Sequence, residues 1–148
     1  MQEINKCNIF DFLKTEKNIA ICVTTNHMLR NNGNAIMGAG IAKAALKYAP
    51  DAEIILGKHI QANKLTPCVL HEINGNYMLS FTTKNDWRDK SKIDIIINSC
   101  YGLIDIKKQL GIDKIYLPPV GCGLGGLNWS DVKTAIKDIL DDDFTFII

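Results

Sequence analysis

Leu117-Pro118-Pro119-Val120-Gly121-Cys122-Gly123-Leu124-Gly125-Gly126-Leu127-Asn128-Trp129 is the stretch that decides how this chain is read. It follows the short apolar run Lys114 to Leu117 and precedes a segment of helical period, Ser130 to Leu140, so it reads as a strand-to-helix connection. Glycines at 121, 123, 125 and 126 let the backbone take positive φ and present N–H groups with no side chain in the way. Such a loop can wrap an anion. At the start of a helix its amides and the helix dipole favour a phosphate or diphosphate. On these residues alone, a glycine-rich turn without a ligand is the alternative.

Outward from that loop, strands and helices alternate. Glu3 to Phe10 is expected as an edge strand, with a helical turn around Asp11 to Lys14. Asn18 to Thr25 is apolar on both parities, as a strand covered on both faces would be. A polar, breaker-rich segment, Asn26 to Asn34, leads into Ala35 to Ala42, which opens a helix through about Tyr48. Asp51 starts another helix, capped by its own carboxylate, that ends near Asn63. Cys68 to Ile73 and Tyr77 to Thr83 flank Asn74-Gly75-Asn76, a hairpin signal. Lys92 to Leu110 has apolar residues at spacings of three and four and ends at Gly111. Phe144 to Ile148 closes the chain as a strand. The pattern predicts an α/β fold, a mixed central sheet with helices on both faces, in one domain over 1–148.

Composition narrows the function classes. Hydrophobic residues make up 47% and charged residues 22%, which fits a soluble globular protein, and a net charge of +1 argues against a surface built to coat a polyanion. Local contact with nucleic acid stays open. Five scattered cysteines with no CxxC or His/Cys cluster read as packed thiols, so neither a metal site nor a disulfide framework is expected, and a reducing, cytoplasmic setting is. No run approaches the roughly 18 apolar residues of a membrane span.

Ligands of open α/β sheets bind beyond the carboxyl ends of strands, and a second glycine turn, Met37-Gly38-Ala39-Gly40-Ile41, also follows a strand. The two turns are expected to face each other across one diphosphate cleft. Neither matches a P-loop or a dinucleotide fingerprint, and no cofactor is implied.

The Met-Gly-x-Gly-Ile-Ala turn at 37–42, the Pro-Pro-x-Gly-Cys-Gly-x-Gly-Gly-Leu-x-Trp run at 118–129 and the segment Phe81 to Lys92 together resemble the macrodomain family. The resemblance is to the branch that contains the DarG antitoxin macrodomain and the terminal ADP-ribose glycohydrolase. It implies a three-layer α/β/α fold and binding of ADP-ribose or an ADP-ribosylated substrate, with an ADP-ribosylated DNA base among the candidates. It also implies hydrolysis of the ADP-ribosyl bond, in a toxin-antitoxin or phage-defence setting.

Position by position, the resemblance places Asn8 and Ile9 at the adenine edge, and Asn26 beside the distal ribose. Gly38, Ala39, Gly40 and Ile41 line one side of the diphosphate, and Pro119, Gly121, Cys122, Gly123, Leu124 and Gly125 the other. Asn34 is counted with the binding residues, although Asn31, Asn32 and Asn34 read equally as turn formers. Lys84 becomes the catalytic candidate, acting at C1″ of the distal ribose, which requires an amine partly desolvated by the cleft. Trp87 and Arg88 are expected on the substrate side, stacking on or pairing with the attached group or a nucleic-acid strand. His27, next to Asn26, is a further candidate acid or base.

There are departures from the family pattern. The first Asn of the Asn-x-x-Asn element is Val23 here, and the segment between Asn26 and Met37 is about six residues longer than in the DarG type. The Asp that follows Gly-Cys-Gly-Leu in the terminal glycohydrolase is Gly125. These departures keep two other readings in view: a module that senses or sequesters ADP-ribose or a related signal without turnover, and a phosphatase of ADP-ribose 1″-phosphate.

Overall fold

The computed structural model describes residues 1–148. Its elements are β1 (Gln2–Ile4), α1 (Phe12–Thr15), β2 (Ile19–Thr25), α2 (Gly40–Ala45), α3 (Ala52–Gln61), β3 (Val69–Ile73), β4 (Asn76–Thr82), α4 (Ile93–Leu110), β5 (Lys114–Leu117), α5 (Trp129–Ile136) and β6 (Phe144–Ile147). The strands form one sheet in the order β1-β6-β5-β2-β4-β3. All neighbours are parallel except β3 and β4.

β2 sits in the middle because it is apolar on both faces. Ile19, Ile21 and Val23 enter a core shared with α1, α2 and α3, while Ala20 and Cys22 enter a second core shared with α4 and α5. Its parallel neighbours divide in the same way: Met78 and Tyr116 pack on the first side, and Leu79, Phe81, Ile115 and Leu117 on the second. Each large side chain removed from water in this way contributes about 1.5–3 kcal/mol. Three layers follow from that alternation, and the carboxyl ends of β2, β4 and β5 come out along one edge. Within α4, Ile96, Ser99, Cys100 and Leu103 face inward at helical spacing, and the helix ends at Gly111, whose φ is +66°. No helix is long and apolar enough to cross a membrane.

Several expectations are corrected. Only Gln2–Ile4 pairs as the edge strand; Ile9–Asp11 is a 3₁₀ turn, because the Asn8 carboxamide accepts from the Phe10 N–H and starts a turn instead. The helix after the first glycine turn is six residues long, and the chain leaves it through turns at Leu46 to Tyr48. Asp51 precedes α3, but its carboxylate makes no capping bond. The Asn74-Gly75 turn has φ of +53° and +78° and joins β3 to β4 with Ile73 opposite Asn76, as a two-residue hairpin requires.

Asn76 ties this scaffold together. Its side chain is fully buried, accepts from the Ile19 N–H at 3.1 Å, and donates to the carbonyls of Leu13 and Glu16 at 3.0 and 2.6 Å. Asn76→Ala orphans one buried donor and two acceptors, and is expected to cost about 2–4 kcal/mol in urea denaturation.

Candidate functional site

A cleft of about 740 Å³ opens at the carboxyl ends of β2, β4 and β5, within the range of small-molecule sites. One wall is the turn Gly38 to Ile41, where Gly40 has φ +58° and begins α2. The opposite wall is the run Pro118-Pro119 and Gly121 to Gly125. The walls meet: a Cβ placed on Gly40 would lie 3.4 Å from Leu124 Cδ1. Two turns about eighty residues apart in sequence thus face one space.

Both turns hold unspent amide donors. Within the second, the N–H groups of Cys122, Gly126 and Leu127 bond to the carbonyls of Pro119, Gly123 and Gly121, which leaves those of Gly123 and Leu124 without an intramolecular acceptor. In the first, the amides of Gly38, Ala39, Gly40 and Ile41 likewise have none. Such groups suit an anion whose oxygens accept several bonds at once. One expectation fails here: the second turn does not open a helix. It is a 3₁₀ turn at Gly123–Gly125, and α5 begins only at Trp129, capped by Asn128, which accepts from the Ser130 N–H. Amide donors, not a helix dipole, characterise this wall.

The charged side chains lining the cleft are Arg30 and Lys84, both cationic, and no carboxylate or imidazole joins them. Lys84 lies just past β4, in a loop closed on itself where the Lys92 N–H donates to the Thr83 carbonyl at 2.9 Å. The same loop docks on the second turn through the Ser91 N–H and the Gly125 carbonyl, also at 2.9 Å. Trp87 stands half-exposed at the cleft with the Arg88 guanidinium 5.9 Å from its ring centroid. Arg88 itself does not line the cleft. It forks onto Asp86, with Nη2–Oδ2 at 2.6 Å and Nε–Oδ1 at 3.0 Å, and this bonding holds the Asp86 carboxyl down at about 2. Cys122 lines the cleft, yet burial pushes its thiol up, which disfavours the thiolate a nucleophile would need.

The long segment after β2 forms a flap that α3 backs. Asn26 ties its ends, donating to the Ile36 carbonyl at 3.1 Å and accepting from the Met28 N–H at 3.0 Å. Glu53 on α3 accepts from Arg30 at 3.1 Å and, through the same oxygen, from the Met37 N–H at 2.8 Å. Gln61 donates to the Gly33 carbonyl at 2.8 Å.

Of the residues singled out from sequence, Asn26, Gly38 to Ile41, Lys84, Trp87, Pro119 and Gly121 to Gly125 are brought together around the cleft. Asn8, Ile9, His27, Asn34 and Arg88 do not line it. Asn8 caps the 3₁₀ turn and Ile9 is core. Asn34 lies in the flap against Gly57 of α3, and His27 sits by Asn63 and His59. Val23 is fully buried in the core. The sequence reading missed Thr25 and Thr83, although both stand where β2 and β4 end, and it missed Arg30 and Ser91, which no local signal marks.

No family model matches the chain. The DNA ADP-ribosyl glycohydrolase of Mycobacterium tuberculosis (strain ATCC 25618 / H37Rv) is 29% identical over 104 residues, which are 66% of this chain and 30% of that protein. The chain thus spans about 30% of the length of that relative. Among solved structures, the macrodomain of Mycobacterium tuberculosis DarG superposes with a TM-score of 0.77 at 25% identity, covering 99% of this chain and 97% of that one. Thermosipho africanus DarTG in complex with ADP-ribose superposes with a TM-score of 0.70 at 26% identity over 86% of this chain and 37% of that one.

Two measurements check the flap's setting. A Cβ at Gly57 would fall 2.4 Å from the Gly33 carbonyl oxygen and 2.9 Å from Asn34 Cα, so Gly57→Ala is expected to cost about 1–3 kcal/mol and to speed hydrogen exchange at the Ala35 amide. Burial and the neighbouring His59 lower the His27 pKa below its ordinary 6.5, with Asn63 partly offsetting them. NMR titration is expected to place His27 below that value. Its contribution to stability is then full above about 6.5 and lost as pH falls through the lowered pKa.

Proposed function

This chain has the macrodomain fold and is similar to the DarG macrodomains, and from that premise we propose that it binds ADP-ribose and hydrolyses the bond joining it to a nucleic-acid base. The observation that carries the reading is the pair of amide-rich turns facing one another across a cleft whose charged side chains are both cations. A diphosphate needs many donors and positive charge in one place; the two turns supply the donors and Lys84 the charge, while Arg30 is paired with Glu53. The name of the Mycobacterium tuberculosis relative specifies DNA, and Trp87 offers an exposed aromatic face at the cleft on which a base can stack.

In the proposed reaction, Lys84 Nζ gives up a proton to solvent and attacks C1″ of the distal ribose. The bond from C1″ to the base nitrogen breaks, and the base leaves with the electron pair and takes up a proton. Water then hydrolyses the lysine adduct, returning the amine and releasing ADP-ribose. With no carboxylate or imidazole lining the cleft, no other side chain there serves as an ordinary acid or base. Residues 1–148 act as one module in this proposal, in a reducing cytoplasmic setting that five unpaired cysteines favour.

The same lack of a carboxylate favours a second reading, a module that holds ADP-ribose without turning it over. Incubation with an ADP-ribosylated thymidine oligonucleotide separates the two. Release of free ADP-ribose is expected, falling at least about a hundredfold in Lys84→Ala. Intact oligonucleotide after long incubation, with ADP-ribose still bound in calorimetry, establishes the second reading instead. Equal turnover by Lys84→Ala removes the lysine from the mechanism.

A further inference from the structure

Arg30 is the charged residue at the cleft that the reaction proposed above leaves without a task. It stands on the flap that is longer here than in the DarG type, and that flap is built rather than loose. Leu29 and Ala35 form an antiparallel bridge, the Arg30 N–H donates to the Asn34 carbonyl at 2.8 Å, and the Gly33 N–H donates to the Arg30 carbonyl at 2.9 Å. From this small hairpin Arg30 reaches the cleft with its side chain 46% exposed, and its side-chain bond runs from Nη2 to Glu53 Oε2. The same carboxylate oxygen takes the Met37 N–H. A guanidinium carries five N–H donors in a fixed plane, and this end-on bond occupies one of them. An ion pair as exposed as this one adds little to the stability of a fold. Glu53 therefore aims the guanidinium without using it up.

The course of the flap says which part of a substrate Arg30 meets. It starts against the lysine loop, where the His27 N–H donates to the Asn85 carbonyl at 2.9 Å, and Arg30 follows shortly after. The glycine turns already offer backbone amides for a diphosphate, and neither hydrogen-bonds the Arg30 side chain.

We propose that Arg30 is a substrate-binding residue that grips a backbone phosphate of the nucleic-acid strand carrying the modified base, with Glu53 as the positioning residue that holds it there. The inference rests on the nucleic-acid reading above and names a contact to the strand rather than to ADP-ribose. The planar fork of a guanidinium fits two oxygens of one phosphate, and the N–H groups left free by Glu53 are enough for that. Trp87 then takes a base and Arg30 a phosphate of the same strand, from two different edges of the cleft mouth.

The test is fluorescence anisotropy with a single-stranded oligonucleotide bearing one ADP-ribosylated thymidine, in a Lys84→Ala background chosen to keep the probe intact, alongside calorimetry with free ADP-ribose. Adding Arg30→Gln is expected to weaken oligonucleotide binding roughly tenfold, as loss of a bond between charged groups does. It should also flatten the slope of log affinity against log salt by about 0.7, the share of one single-strand phosphate. Free ADP-ribose should bind the variant as it binds its parent. Arg30→Lys keeps the charge but not the fork, and is expected to keep the salt slope while losing part of the affinity. If Arg30→Gln weakens free ADP-ribose and oligonucleotide alike, Arg30 serves the nucleotide or the folding of the flap, and the strand contact is wrong. If oligonucleotide affinity or its salt slope is unchanged, Arg30 is only a tie to Glu53 and the contact is equally wrong. The wider reading survives both results. If wild type does not bind ADP-ribose, both fall.

Discussion

Everything in this molecule hangs on a strand that cannot touch water on either side. β2 alternates Ile19, Ile21 and Val23 with Ala20 and Cys22, all essentially without exposure, and so must be sandwiched between two helical layers and flanked by strands that are buried in the same way. Parallel pairing with β4 and β5 meets that demand, and it brings the carboxyl ends of all three strands to one edge. Thr25, Thr83 and Pro118 reach the cleft for that reason, and Lys84 is carried there by the chain that leaves β4.

The site is finished by backbone more than by side chains. Met37 and the flap are fastened to α3 through Glu53, and the lysine loop is fastened to the second glycine turn through Ser91 and Gly125. Glycine is needed at Gly121 and Gly125 because Ile96 and Ser91 occupy the volume a side chain would take, and Gly121 also has φ of +78°. Hydrogen bonds and close approach thus hold two anion-facing turns in register, with few acidic neighbours to oppose a phosphate.

Much of this was legible from residues alone, and for physical reasons. The two-sided apolarity of β2, the Asn74-Gly75 turn and the spacing along α4 are local patterns with one structural solution each. Glycine turns after strands likewise pointed at the cleft. What was not legible depends on contacts distant in sequence. Asn8 and His27 both stand outside the cleft, Asn8 with its carboxamide oxygen capping a turn and His27 near Asn63. Arg30 reads as one more polar flap residue until Glu53 is seen to hold it from 23 positions away. The 3₁₀ geometry at Gly123–Gly125, which separates the turn from α5, goes with Ser91 packed against Gly125 and with positive φ at Gly123 and Gly126.

The bond between Thr83 and Lys92 makes a closed staple, so the eight residues from Lys84 to Ser91 form a cassette with fixed end points. Strand β4 enters it and helix α4 leaves it, and between them it is tied outward by the His27 N–H to the Asn85 carbonyl and by the Ser91 N–H to the Gly125 carbonyl. Exchanging residues 85–90 while Lys84 and Ser91 are kept is therefore a route by which such a scaffold acquires a new leaving-group preference while its pyrophosphate grip and its sheet stay as they are.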